Sequence, residues 1–444
     1  MSAKFAKAPL ADLCLPNVGI QTGPFGSQLH ASDYVEYGTP IITVEHLGEN
    51  RIIHSDLPRV TNKDGKRLSR YTLITGDIVF SRVGSVDRRA IVHPAENGWL
   101  FSGRCLRVRP DLKKIDPGFL SWFFGLPTFQ EHIRQIAVGA TMPSLNTKIL
   151  GDVTIYYPPS LKEQQAIAHI LGTLDDKIEL NRKMNRTLEA MAQAVFKSWF
   201  VDFDPVRAKS AGRDHGLPKK IADLFPDSFE DSEFGEIPKE WRVRRLPEVM
   251  HVNPSRSLTK GALAPYLDMA NMPIQGPSPE AWVMREMGSG MKFENGDTLV
   301  ARITPCLENG KTAFVDFLAN GEVGWGSTEY IVLRPKGAIP PPFAYLLART
   351  DEFRTFAIQQ MTGSSGRQRV PATSLDKYSI STPDLDSPLF QRFGNLVSPM
   401  FNRIKAAMMQ SHTLAALRDT LLLKLISGEL RMKDAERIVG KVVA

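Results

Sequence analysis

The 444-residue chain, 42% hydrophobic and 23% charged, is too long for one growing core and too apolar to stay unfolded, so two or three globular domains are expected. Three scattered cysteines, Cys14, Cys105 and Cys306, exclude a disulfide framework and zinc-type spacing, and no apolar run is long enough to span a membrane; together these predict a cytoplasmic, reducing location with no membrane partner. The formal charge of +7 favours a polyanionic partner only weakly, because the surplus sits in residues 1–159 (18 Lys/Arg against 14 Asp/Glu) and residues 387–444 (9 against 4).

In chain order, residues 1–159 show short apolar runs separated by turn residues, a β-rich pattern. Their loop GPFGSQ sets Gly23 and Gly26 around Phe25, with Ser27 and Gln28 as donors; it suits backbone approach to a phosphate or groove, and equally well a plain turn. LITGDIVFSRVGSV (Leu73–Val86) carries Gly-Asp, an apolar run and Arg82, which either contacts a ligand or neutralises a neighbouring acid. SVDRR then clusters Arg88 and Arg89, and the MPSLN turn leads to Asn146 and Lys148.

The same order of features returns in the second half. KFENGDTLVARITPC (Lys292–Cys306) repeats the Gly-Asp run with Arg302, and CLRVRP (Cys105–Pro110) and YIVLRP (Tyr330–Pro335) are strands ending Arg-Pro. Helical patterns follow each, over Phe119–Ala140 and Phe343–Ser364. The next segments, Met142–Pro158 and Val370–Pro383, also match. SSGRQR supplies Arg367, Gln368 and Arg369; arginine forks read guanine or phosphate, and Gln reads adenine. The chain is therefore a tandem duplication.

A long helix is expected after each repeat. Ser160 and Glu163 form a capping box after Pro158-Pro159, and Ser387-Pro388 is an N-cap with proline at the first helical position. Ile167, Leu171, Leu174, Ile178 and Asn181 make a coiled-coil seam that resumes at Met184, Leu188, Met191 and Val195. Val397, Phe401, Ile404 and Met408, then Leu414, Leu417, Leu421 and Leu425, form the second stripe. Narrow stripes of matched length predict that the helices pair with each other, as a rod of roughly 60 Å at ~1.5 Å per residue. Such a rod suits a spacer between two reading surfaces.

Residues Pro158–Lys209 (PPSLKEQQAIAHILGTLDDKIELNRKMNRTLEAMAQAVFKSWFVDFDPVRAK) resemble the central conserved region of the specificity subunits of Type I restriction-modification enzymes. LRDTLLLKLISGELR (Leu417–Arg431) resembles their distal conserved region, and IQTGPFGSQLHASDY (Ile20–Tyr34) a segment common in their first target recognition domain. The resemblance implies an α+β fold: two pseudo-repeated β-rich target recognition domains separated by two long helices forming an antiparallel coiled coil. The expected boundaries are target recognition domain 1 at 1–159, a central spacer helix at 160–204, a linker at 205–236, target recognition domain 2 at 237–386, a distal spacer helix at 387–430 and a C-terminal tail at 431–444. It further implies a noncatalytic chain that binds double-stranded DNA at a bipartite target and docks two methyltransferase subunits, and through them restriction/motor subunits. S-adenosylmethionine, ATP and Mg are then cofactors of those partners, with none in this chain. One departure concerns the edge of the first domain: the second half opens with IPKEWRVRRL (Ile237–Leu246), whereas KAPLADL (Lys7–Leu13) lacks the Trp.

Two rival readings are an enzyme, a methyltransferase/nuclease in its own right, and a coiled-coil scaffold without DNA specificity. Against the enzyme, Asn253-Pro254-Ser255-Arg256 and Asp204-Pro205-Val206 both fail the tetrapeptide that grips a flipped adenine. NGKT (Asn309–Thr312) has Pro305 where a phosphate-binding loop needs Gly, and no His spacing argues a metal site. Trp199, Phe200 and Phe203, in KSWFVDFDP, are expected to seal the end of the first long helix on its domain.

Overall fold

In the computed structural model, which describes residues 5–26, 28–139, 141–233, 235–279, 281–364 and 366–443, the two repeated signatures find each other. Asp77 accepts from the Ile74 N–H at 2.9 Å and takes Nε and Nη2 of Arg109, the arginine of the first Arg-Pro, both at 2.7 Å. Asp297 likewise accepts from the Glu294 N–H at 2.8 Å and pairs with Arg334, of the second Arg-Pro, at 3.1 Å, and with Arg256 at 2.9 Å. Both carboxylates are fully buried, so each needs its arginine to offset the loss of water. Gly76 and Gly296 make the turns at φ +92° and +91°, where a Cβ is strained.

The strands built on these signatures have one plan in both halves. Ile20–Thr22, Cys105–Val108, Ile78–Ser81 and Arg89–Ile91 form a four-stranded antiparallel sheet in that order. Met250–Val252, Tyr330–Pro335, Thr298–Ala301 and Thr312–Phe314 form its counterpart. A second four-stranded sheet accompanies each and contains one parallel pair, Ile41 opposite Leu100 at the edge in the first half and Tyr266 opposite Trp325 at the centre in the second. Each repeat is closed by its own ends, Ala6–Pro9 pairing with Thr154–Tyr157 and Arg242–Arg245 with Ser379–Thr382, all antiparallel. The missing Trp therefore leaves the first edge strand in place; Trp241 instead packs on Phe200 and Phe203, at 5.9 and 5.6 Å between ring centroids.

The chain divides into two compact units, residues 1–178 with 412–444, and residues 179–411. Both long helices, α1 (Leu161–Phe200) and α2 (Pro388–Ile426), contribute a segment to each unit. The division falls inside the helices because each segment packs on its own sheets as well as on the other helix. In the first unit Asp175 of α1 meets Arg418 of α2 at 3.0 Å. In the second, Asn181 reaches Ser411 and Gln410, Asn185 reaches the Ile404 carbonyl, Phe196 meets Phe393 and Phe200 stacks on Phe390 at 5.7 Å. Rising numbers on one helix meet falling numbers on the other, so the pair is antiparallel. The Ser387 hydroxyl accepts from the Leu389 N–H and caps α2 as expected.

Three expectations are corrected. After Asn181 the fully buried positions of α1 as far as Phe196 are Glu189, Ala192 and Phe196, one residue beyond Leu188, Met191 and Val195; Met184, Leu188 and Val195 are only partly buried, like Asn185, and Met191 is half exposed. The shift follows from buried polar partners: Glu189 accepts from the Tyr345 hydroxyl and lies 3.7 Å from Arg349, so a reading of apolar spacing alone passes it by. Segment 205–236 is no free linker, since Val206 and Phe225 belong to the second unit's core. The C-terminal segment holds helix α3 (Met432–Val443), whose Ala435 and Val439 are buried in the first unit's core. Trp199, Phe200 and Phe203 are buried at the end of α1, with Trp199 edge-on to Phe225 at 5.2 Å.

One buried carboxyl in the second unit makes stability pH-dependent. Burial pushes Asp316 up to about 6, with Lys405 opposing, and its Oδ1 has no hydrogen-bond partner. Between about pH 4 and 6 the native chain retains a proton that the unfolded chain has released, so stability falls as pH rises through that window. Asp316→Asn should raise Tm at pH 8 and leave it unchanged at pH 4, measured by thermal unfolding at both.

Candidate nucleic-acid interface

In each unit an inner strand of the Gly-Asp sheet is followed directly by an arginine held by the same backbone frame. Arg82 donates its N–H to the Arg104 carbonyl at 2.8 Å, and its carbonyl accepts from the Leu145 N–H at 2.9 Å. Arg302 donates to the Glu329 carbonyl at 3.0 Å and accepts from the Val370 N–H at 2.9 Å. Hairpin loops cross the frame alike: Ser144 bridges both Val83 and Val138, and Arg369 bridges both Ile303 and Thr362. Gly139 and Gly363 turn these loops at φ +112° and +116°.

Arg82 and Arg302 share a further feature, a buried Nε without a hydrogen-bond partner among the described residues. A buried donor is costly to leave unmet; because both residues are only partly buried, it is the terminal nitrogens of each guanidinium that can still meet a ligand. Arg82 also donates Nη1 to the Gly103 carbonyl at 3.1 Å and lies 5.0 Å from the centre of the Phe25 ring, which is half exposed. Phe25 thus sits against Arg82. A Cβ at Gly23 would come within 2.1 Å of the Ser102 carbonyl oxygen, so Gly23 serves close packing of the chain on itself. Gly26 has open space around it. Gln28 accepts from the Tyr71 hydroxyl at 2.6 Å, and its carbonyl accepts from Arg67 at 2.9 Å. Ser27 lies outside the described residues.

The other expected residues divide. Asn146 caps the short helix Thr147–Gly151 through the Ile149 N–H at 2.8 Å, and Lys148 is exposed on that helix. Arg88 is half buried and donates to the Leu47 carbonyl. Arg89 is a correction: it is 5% exposed, its Nε donates to the Ser121 carbonyl at 3.3 Å, and burial pushes its pKa down to about 10. Its guanidinium fills the space above Gly125, where a Cβ would lie 2.3 Å from Nη2. A strand residue alternating inward was not visible in a run of two arginines. Arg367 is exposed, the Gln368 carbonyl accepts from the Thr304 N–H at 3.1 Å, and the Nε of Arg369 donates to Glu329 at 2.8 Å.

Sequence reasoning missed Arg104, exposed beside Arg82, and its counterpart Glu329. Each immediately precedes the repeated strand that ends Arg-Pro, and the reversal of charge at that aligned position was the available signal. Among the described residues no group of three or more His, Cys, Asp or Glu side chains is placed to hold a metal ion, and no helix is long and apolar enough to cross a membrane.

Residues 20–190 match the profile of the Type I restriction modification DNA specificity domain. The Type I restriction enzyme MjaIX specificity subunit of Methanocaldococcus jannaschii is 28% identical over 331 residues, 71% of this chain and 69% of that protein. The Type I restriction enzyme HindI specificity subunit of Haemophilus influenzae is 23% identical over 435 residues, 86% and 92% of the two chains. The fold is similar to the crystal structure of a Type I restriction-modification system S subunit from M. genitalium, with a TM-score of 0.57 at 15% identity over 95% of this chain and 96% of that one. The chain thus carries a match to the Type I restriction modification DNA specificity domain over residues 20–190 and is similar to Type I restriction-modification specificity subunits along most of its length.

Proposed function

We propose that this chain reads double-stranded DNA with each of its two β-rich parts, one half of a bipartite target apiece, and that the helix pair sets the spacing between the halves. The observation that carries the reading is the repeated frame around Arg82 and Arg302, each with an unmet buried donor beside exposed loops. In the first part Phe25, Gly26, Gln28, Arg82, Arg88, Asn146 and Lys148 form the contact set, with Arg104 added; in the second Arg302, Arg367, Gln368 and Arg369. Phosphate contacts supply salt-dependent affinity, and base-edge contacts supply sequence choice.

Chemistry on the DNA belongs to partners in this reading. Two methyltransferase subunits dock on the helices and bring S-adenosylmethionine; restriction/motor subunits, joined through them, bring ATP and Mg. The cytoplasm is where all of these meet chromosomal DNA.

Arg82→Ala and Arg302→Ala should each weaken binding and reduce the slope of log affinity against log salt by about 1. Titration of labelled target duplex at several salt concentrations reads this. Equal competition by unrelated duplex would instead support a scaffold without DNA specificity. Exchanging residues 1–157 for those of a relative should change one half-site only, as read by mapping methylated adenines; a change in both would refute independent readers.

A further inference from the structure

The frame around Arg82 and Arg302 presents two side chains next to each other, and the two units fill those places with opposite chemistry. In the first unit the positions hold Arg104 and Ser144; in the second they hold Glu329 and Arg369. The Nε of Arg369 donates to both oxygens of Glu329, at 2.8 and 3.0 Å, and its Nη1 donates to the Arg367 carbonyl at 3.1 Å. Arg369 remains 43% exposed while the carboxylate is 23% exposed. The acid lies on the inner side of the pair, and the arginine still faces out.

A guanidinium has five donors in a planar fork. Two are used here, which leaves donors on both terminal nitrogens. A phosphate contact needs charge and tolerates a swinging side chain, whereas a bidentate contact to guanine O6 and N7 needs a fixed plane. Pairing with Glu329 cancels charge and fixes the plane, the reverse of what a phosphate contact favours. As a mere surface ion pair it would contribute little. We propose that Arg369, oriented by Glu329, reads one guanine in the half-site recognised by the second unit. Arg369 is the specificity-determining residue and Glu329 its positioning residue. The inference rests on the DNA-reading function proposed above and names the base and residue for one half of it.

The test uses the full chain assembled with its methyltransferase partner. Methylated adenines are mapped in host chromosomal DNA, and binding is then measured on target duplexes carrying 7-deazaguanine at each guanine in turn. The wild type should lose on the order of 10-fold affinity at one guanine of the second half-site. Arg369→Ala and Arg369→Lys should lose the preference at that base and become insensitive to 7-deazaguanine there, because lysine keeps the charge without the fork. Glu329→Gln should relax the same base, and adding it to Arg369→Ala should change nothing further. In every variant the first half-site must stay as in the wild type, which also certifies folding and assembly. Unchanged base preference in Arg369→Ala, relaxation of different bases by the two single variants, or altered first half-site reading would each overturn the proposal. A wild-type chain that confers no sequence preference at all would overturn the DNA-reading function itself.

Discussion

Arg418→Ala is expected to lower the stability of the first unit by about 3–5 kcal/mol, the cost of stranding a buried charge. Arg418 is 4% exposed and donates Nη1 to Asp175 at 3.0 Å, Nη2 to Glu49 at 2.6 Å and Nε to Asp419 at 3.0 Å. Burial opposes its charge, but Glu49, Asp419 and Asp175 outweigh burial and hold its pKa above the ordinary arginine value. Asp175, equally buried, also takes Nε of Arg51 at 2.6 Å. Without Arg418 that carboxylate keeps one partner in a site closed to water. At roughly 2–4 °C per kcal/mol for a unit of this size, Tm should fall by about 10 °C in thermal unfolding. Replacing both partners, Asp175→Leu with Arg418→Met, should recover most of the loss, because no fully buried charge is then stranded: Arg51 keeps Asp176, and Glu49 and Asp419 are more than half exposed. Arg51→Ala should cost less than Arg418→Ala, since Arg51 is 24% exposed and its second partner, Asp176, is 71% exposed. A shift below about 2 °C in Arg418→Ala would show that the network does not hold the helices to the sheets.

Inserting four residues after Ile178 and four after Ser411 should widen the gap between the two recognised half-sites by about two base pairs and leave their sequences unchanged. Four residues are close to one helical turn and add ~6 Å of rise, against about 3.4 Å per base pair. Placing both insertions where the chain divides into units preserves the Asp175–Arg418 pair on one side and the Asn181–Ser411 contact on the other. Mapping methylated adenines in cells carrying the lengthened chain reads the gap directly. A gap that stays the same would refute the spacer role of the helices.

The duplication was legible because its signatures are local and carry backbone chemistry. A Gly-Asp turn and an Arg-Pro strand end are readable in one line of sequence, and Asp77–Arg109 and Asp297–Arg334 show why they travel together. Helix starts at Ser160 and Ser387 were legible for the same reason, since a cap is set by three or four neighbouring residues. The seam of α1 was legible only while it stayed apolar. Beyond Asn181 its first fully buried position is Glu189, and a glutamate that binds Tyr345 reads in sequence as a solvated residue.

The candidate interface divides along the same line. That Arg82 and Arg302 are equivalent follows from the repeated motif, because position along a strand fixes the frame that surrounds it. Which arginines face outward does not follow: Arg88 and Arg89 are neighbours, yet Arg89 is buried under Ser121 and Gly125 while Arg88 is only partly buried. Nor does the pairing of Glu329 with Arg369, 40 residues apart. Periodicity, capping and turn chemistry act over a few residues, so residue order alone yields the two repeats, the two long helices and the resemblance to a known family. Burial of charge and the choice of ionic partner act through space, and only packing of strands and loops from distant parts of the chain decides which side chains remain free to meet a ligand.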